Sequence, residues 1–103
     1  FAFAWRAVTE PSASYTIFLQ LLNEEGRLVS QEDSLPLGGA APTDTWVTGE
    51  VVLDEHVLPI PADVTRGRAT VIVGFYDAQT GRRLAIGDGD YLRLGDIELV
   101  AEP

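Results

Sequence analysis

Turn-forming residues recur about every ten positions along this chain, and they leave room only for short segments between them. Short runs rich in Val, Ile, Leu, Tyr and Phe fill the intervals. Evenly spaced short strands separated by Gly- and Pro-containing turns are typical of all-β sandwiches and barrels. No window of about eleven residues has a helical apolar stripe with end caps. We therefore predict a single antiparallel β-sandwich, jelly-roll or immunoglobulin-like, of about seven or eight strands.

Seven segments between the turns are predicted to be strands. They are Phe1–Thr9, Ser14–Leu22, Arg27–Leu35, Glu50–Ile60, Ala69–Asp77, Arg83–Ile86 and Tyr91–Val100. The second of them is apolar on both faces, which is typical of a central strand covered on both sides. Residues Ser34–Thr48 form a long segment without strand character. Such a segment predicts either a crossover between sheets or a functional loop.

Composition excludes several classes of protein. The chain has no Cys, which rules out disulfide scaffolds, zinc–thiolate sites and thiol catalysis. Sixteen acidic residues against seven Arg give a net charge of -9, which repels phosphate backbones and anionic membrane surfaces. No apolar run approaches the roughly 18–20 residues that span a bilayer. We predict no nucleic-acid partner and no direct membrane insertion of these residues.

The chain opens on Phe1, which is not a translation start. We therefore expect residues 1–103 to be one β-sandwich domain taken from a longer protein. The opening stretch has no positively charged segment followed by an apolar core and a cleavage site, so it does not have the pattern of a signal peptide.

The single histidine, His56, lies two residues after Asp54 in the predicted strand Glu50–Ile60. In that strand Val51, Leu53 and Val57 alternate with these two polar residues. A lone His cannot build a three-ligand zinc site unless carboxylates converge on it from elsewhere. We expect His56 to be exposed or at the rim of the sheet.

Paired carboxylates are numerous, and two pairs lie in predicted strands: Glu32 with Asp33, and Asp54 with Glu55. Adjacent residues of a strand point to opposite faces, so neither pair can form an acid–base dyad by itself. No other feature of the sequence selects two carboxylates for such chemistry. We expect these residues to carry no catalysis.

Trp46, at the end of the long segment, has two interpretations. In the first, its indole plugs one end of the sandwich with its N–H paired. In the second, it is a stacking platform for the apolar C–H face of a pyranose. Gln31, Asp33 and Asp54 would then bind the sugar hydroxyls, and these four residues are the predicted ligand-binding set.

The stretch Gly87-Asp88-Gly89-Asp90 is similar to half of a calcium loop. It lacks the third ligand and the terminal Glu of the EF-hand pattern. We expect a solvated turn here, and a structural calcium held by Asp88 and Asp90 is the less favoured alternative. The sequence predicts no other cofactor.

Several motifs together resemble a known family. Residues 15–33 read YTIFLQLLNEEGRLVSQED, which resembles a strand–hairpin–strand of the form YTVFVHLLD-x-x-G-x-x-x-x-Q-x-D. Further matching stretches are Pro42–Trp46, Val73–Asp77, Thr80–Leu84 and Tyr91–Gly95. This pattern spans nearly the whole chain. It resembles the extracytoplasmic β-sandwich at the C-terminal end of bacterial membrane proteins of the dolichyl-phosphate-mannose and aminoarabinose glycosyltransferase type.

The resemblance implies an accessory module on the extracytoplasmic face of the bacterial membrane, attached to a parent membrane domain that carries the catalysis. It assigns no catalytic residue to this chain. The His and Asp of the pattern are Gln20 and Asn23 here, which puts in doubt any role that depends on that His.

Three functions stay open at this point. The first is a non-catalytic module that binds carbohydrate or an acceptor. The second is a structural or protein-interaction module without a ligand of its own, which predicts an exposed apolar face. The third is a small hydrolase, which needs a cleft that holds convergent carboxylates.

Overall fold

The computed structural model describes residues 1–61 and 66–100 and shows an all-β fold of two antiparallel sheets. Its six strands are β1 (Ala2–Arg6), β2 (Tyr15–Leu22), β3 (Leu28–Ser34), β4 (Val51–Glu55), β5 (Gly67–Asp77) and β6 (Leu92–Leu99). The all-β prediction is confirmed. The predicted count of seven or eight strands is wrong for the described residues. The sixth predicted strand, Arg83–Ile86, forms only two isolated bridges, one at each of its ends.

The larger sheet has the order β3-β2-β5-β6, which makes β2 a central strand as its two apolar faces predict. The core lies on one face of this sheet. Ile17, Leu19 and Leu21 of β2 and Val71 and Val73 of β5 form its centre and are almost fully buried. Alternate residues of a strand share a face, so this spacing of two places all five side chains in one apolar layer.

The smaller sheet pairs β1 with β4 and covers this core. Phe3 and Trp5 of β1 pack against the core, and the ring of Trp5 meets Phe75 of β5 edge-on at 4.9 Å between centroids. The segment between β3 and β4 joins one sheet to the other. It contains two short 3₁₀ helices, Pro36–Gly39 and Thr43–Thr45. The prediction of a crossover between sheets is therefore confirmed.

Strand β4 ends at Glu55, five residues before the predicted end at Ile60. The residues on its buried face also differ from the expectation, which had His56 exposed or at the rim of the sheet. Asp54 and His56 are each only 3% exposed, whereas Leu53 is 70% exposed. The cause is the pairing with β1, in which Phe3 stands opposite Asp54. Cross-strand partners share a face, so the aromatic side chain that enters the core brings the carboxylate with it.

Within the described residues, the helical segments are the two 3₁₀ helices, and none has the length and apolar character needed to cross a membrane.

Candidate functional site

A buried cluster of polar side chains joins the two sheets beside Phe3. His56 lies at its centre, directly after β4, and the expectation of an exposed or rim histidine is wrong. Its Nε2 lies 2.5 Å from Oδ2 of Asp54. Its Nδ1 lies 2.8 Å from Oε2 of Glu32 and 2.9 Å from Oγ of Ser34, both on β3. Two carboxylates from different strands thus meet the opposite ring nitrogens of one imidazole.

Asp54 has further donors that hold it in place. The indole N–H of Trp5 donates to its Oδ2 at 3.2 Å, and the backbone N–H of Leu37 donates to its Oδ1 at 3.0 Å. Leu37 has a backbone φ of +52°, a left-handed conformation that costs a non-glycine residue on the order of 1–2 kcal/mol. Asp54 therefore anchors β1, the crossover and His56 at one point, and a buried carboxylate is stable only when it is paired in this way.

The alternation rule explains how this cluster forms. Glu32 points to the inner face of β3 and Asp33 to the outer face, while Asp54 points inward on β4 and Glu55 outward. One carboxylate from each adjacent pair therefore reaches the interior. The sequence contained a signal for this, because Asp54 and His56 share one face of their strand.

Ser34, His56 and Asp54 lie in the order of a serine–histidine–aspartate triad. A general base for Ser34 needs a free lone pair on Nδ1, the nitrogen that faces its hydroxyl. The carboxylate of Glu32 lies against that same nitrogen and accepts a hydrogen bond only from a protonated one. While Nδ1 is protonated towards Glu32, the ring therefore cannot act as a base for Ser34.

A second feature is a cavity of about 390 Å³ at one end of the two packed sheets. Four aromatic side chains line it: Trp5, Tyr15, Trp46 and Phe75. The polar residues of the lining are Arg6, Thr9, Glu10, Ser12 and Thr43. Binding cavities for small ligands are typically lined by apolar and aromatic groups with a few polar groups, and they are of this size.

The indole of Trp46 is buried against Ala7 and Val52, and its N–H donates to the carbonyl oxygen of Ala41 at 2.8 Å. These are the features of the plug interpretation. The same ring contributes to the wall of the cavity, where Trp5 packs beside it. Trp46 is thus part of a cavity wall and does not stand out as an exposed platform.

The structure does not bring the four predicted ligand-binding residues into one site. Gln31 and Asp33 lie on the outer face of β3, and the hydroxyl of Tyr76 donates to Oδ2 of Asp33 at 2.9 Å. This hydrogen bond, followed by partial burial and the charge of Asp33, raises the pKa of Tyr76. Asp54 is enclosed between the sheets. It accepts a hydrogen bond from Trp5, and Trp5 in turn packs beside Trp46. Strand alternation separates the two outer residues from the two inner ones.

Asp88 and Asp90 lie in the turn before β6. Asp88 is exposed, and Oδ1 of Asp90 accepts a hydrogen bond from Arg83 at 3.3 Å. Among residues 1–61 and 66–100, no group of three or more His, Asp or Glu side chains is arranged to hold a metal ion. Glu32 and Asp54 contact opposite sides of the His56 ring and so do not face a common point.

The fold and these two features define a small all-β domain with an aromatic-lined end cavity and a buried histidine cluster. Comparison with protein-family models, with curated proteins and with solved structures finds no match for this chain.

Proposed function

We propose that this chain is a non-catalytic accessory β-sandwich, of the jelly-roll or immunoglobulin-like kind, that binds a carbohydrate or a carbohydrate-linked acceptor in its end cavity. The observation that carries the proposal is the meeting of Trp5, Tyr15, Trp46 and Phe75 around one open cavity. A pyranose has an apolar C–H face that packs on aromatic rings and hydroxyls that need polar partners. Arg6, Glu10 and Ser12 supply such partners at the same cavity.

The sequence resemblance supports the same proposal from a different side. It implies attachment to a membrane glycosyltransferase-like protein and a position on the extracytoplasmic face of a bacterial membrane. An accessory module in that position would meet glycan or a lipid-linked acceptor beside the catalytic domain. Trp46 is buried and Trp5 is half-buried, and both side chains belong to residues that line the cavity.

A glycan array followed by NMR titration tests the proposal. The indole N–H signals of Trp5 and Trp46 should shift on addition of the bound oligosaccharide, because both rings line the cavity. Arg6→Gln should weaken binding on the order of tenfold, the value of one charge-assisted hydrogen bond. Arg27→Gln, an exposed change on the turn between β2 and β3, is the matched control and should bind as the wild type does. No response of either indole to any glycan would contradict the proposal.

A specific observation favours a second function, a structural or protein-interaction module. The outer face of the β1–β4 sheet carries four exposed apolar residues, Ala2, Ala4, Val51 and Leu53, with Arg6 and Glu55 at its two ends. Leu37 extends this apolar face along the crossover and is also exposed. Exposed apolar patches of this kind mark contact surfaces in many proteins.

Sedimentation of the chain over a wide concentration range distinguishes this second function. Self-association through the β1–β4 face should be concentration-dependent and should be abolished by Leu53→Glu. Leu28→Glu is the matched control, because Leu28 is also exposed but belongs to the other sheet. A strict monomer at every concentration would count against self-association.

A further inference from the structure

We propose that His56 is a proton-operated latch between the two sheets, in which loss of one ring proton transfers its Nδ1 contact from Glu32 to Ser34. The proposal rests on the geometry of the cluster and does not depend on ligand binding. Both ring nitrogens lie within hydrogen-bond distance of a carboxylate oxygen. A carboxylate accepts only, so both contacts are hydrogen bonds only when the ring carries two protons.

In the protonated state, Nε2–H donates to Asp54 and Nδ1–H donates to Glu32. The imidazolium then lies between two carboxylates, and β3 is bonded to the end of β4. Such charge-assisted hydrogen bonds are about twice as strong as neutral ones. The side chain of His56 is only 1% exposed, so water does not compete for these contacts.

In the neutral state, the remaining proton stays on Nε2, because Asp54 is held in place by Trp5 and Leu37. Nδ1 becomes an acceptor, and the hydroxyl of Ser34 can donate to it at the observed distance of 2.9 Å. Glu32 offers only lone pairs to that nitrogen and is repelled. Its side chain is 25% exposed, which gives the released carboxylate a path to water. The cluster therefore has two discrete arrangements with different partners.

The surroundings of the ring contain few other charges. From β1, Phe3 presents an aromatic edge at 5.7 Å between centroids, and the amino group of Phe1 bonds the backbone oxygen of His56 and not its ring. From β3 come Glu32 and Ser34, and from β4 comes Asp54. Among the described residues that contact the ring, the two carboxylates are thus the charged groups that respond to its protonation.

The link between β3 and the residue after β4 is complete while His56 carries two protons and both carboxylates are ionised. Removal of the Nδ1 proton leaves Glu32 without a donor on the ring, so this part of the link depends on Glu32.

NMR on the intact chain tests the latch directly, and the ring signals are unambiguous because the chain has one histidine. Ring nitrogen shifts report the fraction of doubly protonated His56, and the side-chain carboxyl shift of Glu32 should change over the same pH range. Glu32→Gln should lower the equilibrium constant for protonation of the His56 ring on the order of tenfold. Ser34→Ala should raise it, because it removes the donor of the neutral state.

Glu55→Gln is the matched control, since it changes the same charge next to the cluster but on the outer face. It should alter the protonated fraction much less than Glu32→Gln does. Opposite shifts in the Glu32 and Ser34 variants support the latch. Shifts of the same sign, or a Glu32 carboxyl signal that ignores the protonation of His56, overturn it. The wild-type titration alone gives this second outcome if a variant fails to fold.

Discussion

The ring of Phe18 lies directly against the backbone of Gly74, its partner across the β2–β5 pair. A Cβ atom at Gly74 would stand 2.3 Å from Cζ of Phe18, far inside van der Waals contact. The guanidinium of Arg83 covers the same ring at 4.3 Å from its centroid. Phe18 is on the outer face of the larger sheet, opposite the main core, and it is buried there because glycine lets the ring lie flat on the strand.

Gly74→Ala should destabilise the protein by about 1–3 kcal/mol, because the added methyl must displace an aromatic ring held by its neighbours. Urea unfolding monitored by circular dichroism measures the change. Gly89→Ala is the control, since no heavy atom lies within 4 Å of a Cβ at Gly89. That control should change the free energy of unfolding by less than about 0.5 kcal/mol. Wild-type stability in Gly74→Ala would contradict the packing described for Phe18.

Thr43 is buried and its hydroxyl satisfies two backbone groups at once. Oγ1 donates to the carbonyl oxygen of Ala13 at 2.7 Å and accepts from the N–H of Tyr15 at 2.8 Å. Thr43→Val keeps the volume but leaves both groups unpaired, so it should cost about 1–3 kcal/mol of unfolding free energy. Thr45→Val, in the same 3₁₀ helix, removes a hydrogen bond of an exposed hydroxyl and should cost far less. Thermal and urea unfolding of both variants make the comparison.

The pKa of Tyr76 is raised, first by its hydrogen bond to Asp33 and then by partial burial. A raised pKa means that folding favours the neutral phenol, so this contribution to stability is present below about pH 10 and is lost as the pH rises through the folded value. Asp33→Asn should return the pKa of Tyr76 towards its usual range, as carbon NMR of the phenol ring would report. Asp44→Asn, an exposed change elsewhere, should leave it unaltered.

At the other edge of the larger sheet, on β6, Arg93 donates to Oδ1 of Asp96 at 2.7 Å. This hydrogen bond, followed by one from Thr70, lowers the pKa of Asp96. The resulting stabilisation is present above about pH 3.9 and is lost as the pH falls through the folded value. Arg93→Gln should raise the pKa of Asp96 in carboxyl NMR titrations, whereas Arg27→Gln should not. An unchanged pKa in Arg93→Gln would show that the pair does not persist in solution.

The presence of most strands could be predicted from the sequence, because the alternation of apolar residues and the residues that form turns are local properties. The hairpin between β2 and β3 is an example, since Gly26 has a φ of +79° in a turn that the sequence placed there. Strand ends were less accurate, because a strand continues only where a neighbour pairs with it. The segment Arg83–Ile86 has β-type residues but only isolated bridges, so it does not become a strand.

The candidate site was harder to predict than the fold. Trp46, which the sequence analysis singled out at the end of the long segment, lines the cavity. Trp5, Tyr15 and Phe75 lie far from it in the chain and reach the cavity only when the sheets pack. Gln31 and Asp33 do not lie beside Asp54. Both are on the outer face of β3, whereas Asp54 is buried between the two sheets.

Local sequence therefore determined the all-β class, the central position of β2 and the crossover after β3. It also divided β4 into two faces, with Asp54 and His56 on one and Leu53 on the other. A period of two assigns residues to faces but does not say which face turns inward. Tertiary structure made that choice through β1, whose Phe3 enters the core opposite Asp54 and takes the polar face of β4 with it. Glu32 then provides the second carboxylate, and the buried cluster forms between the sheets.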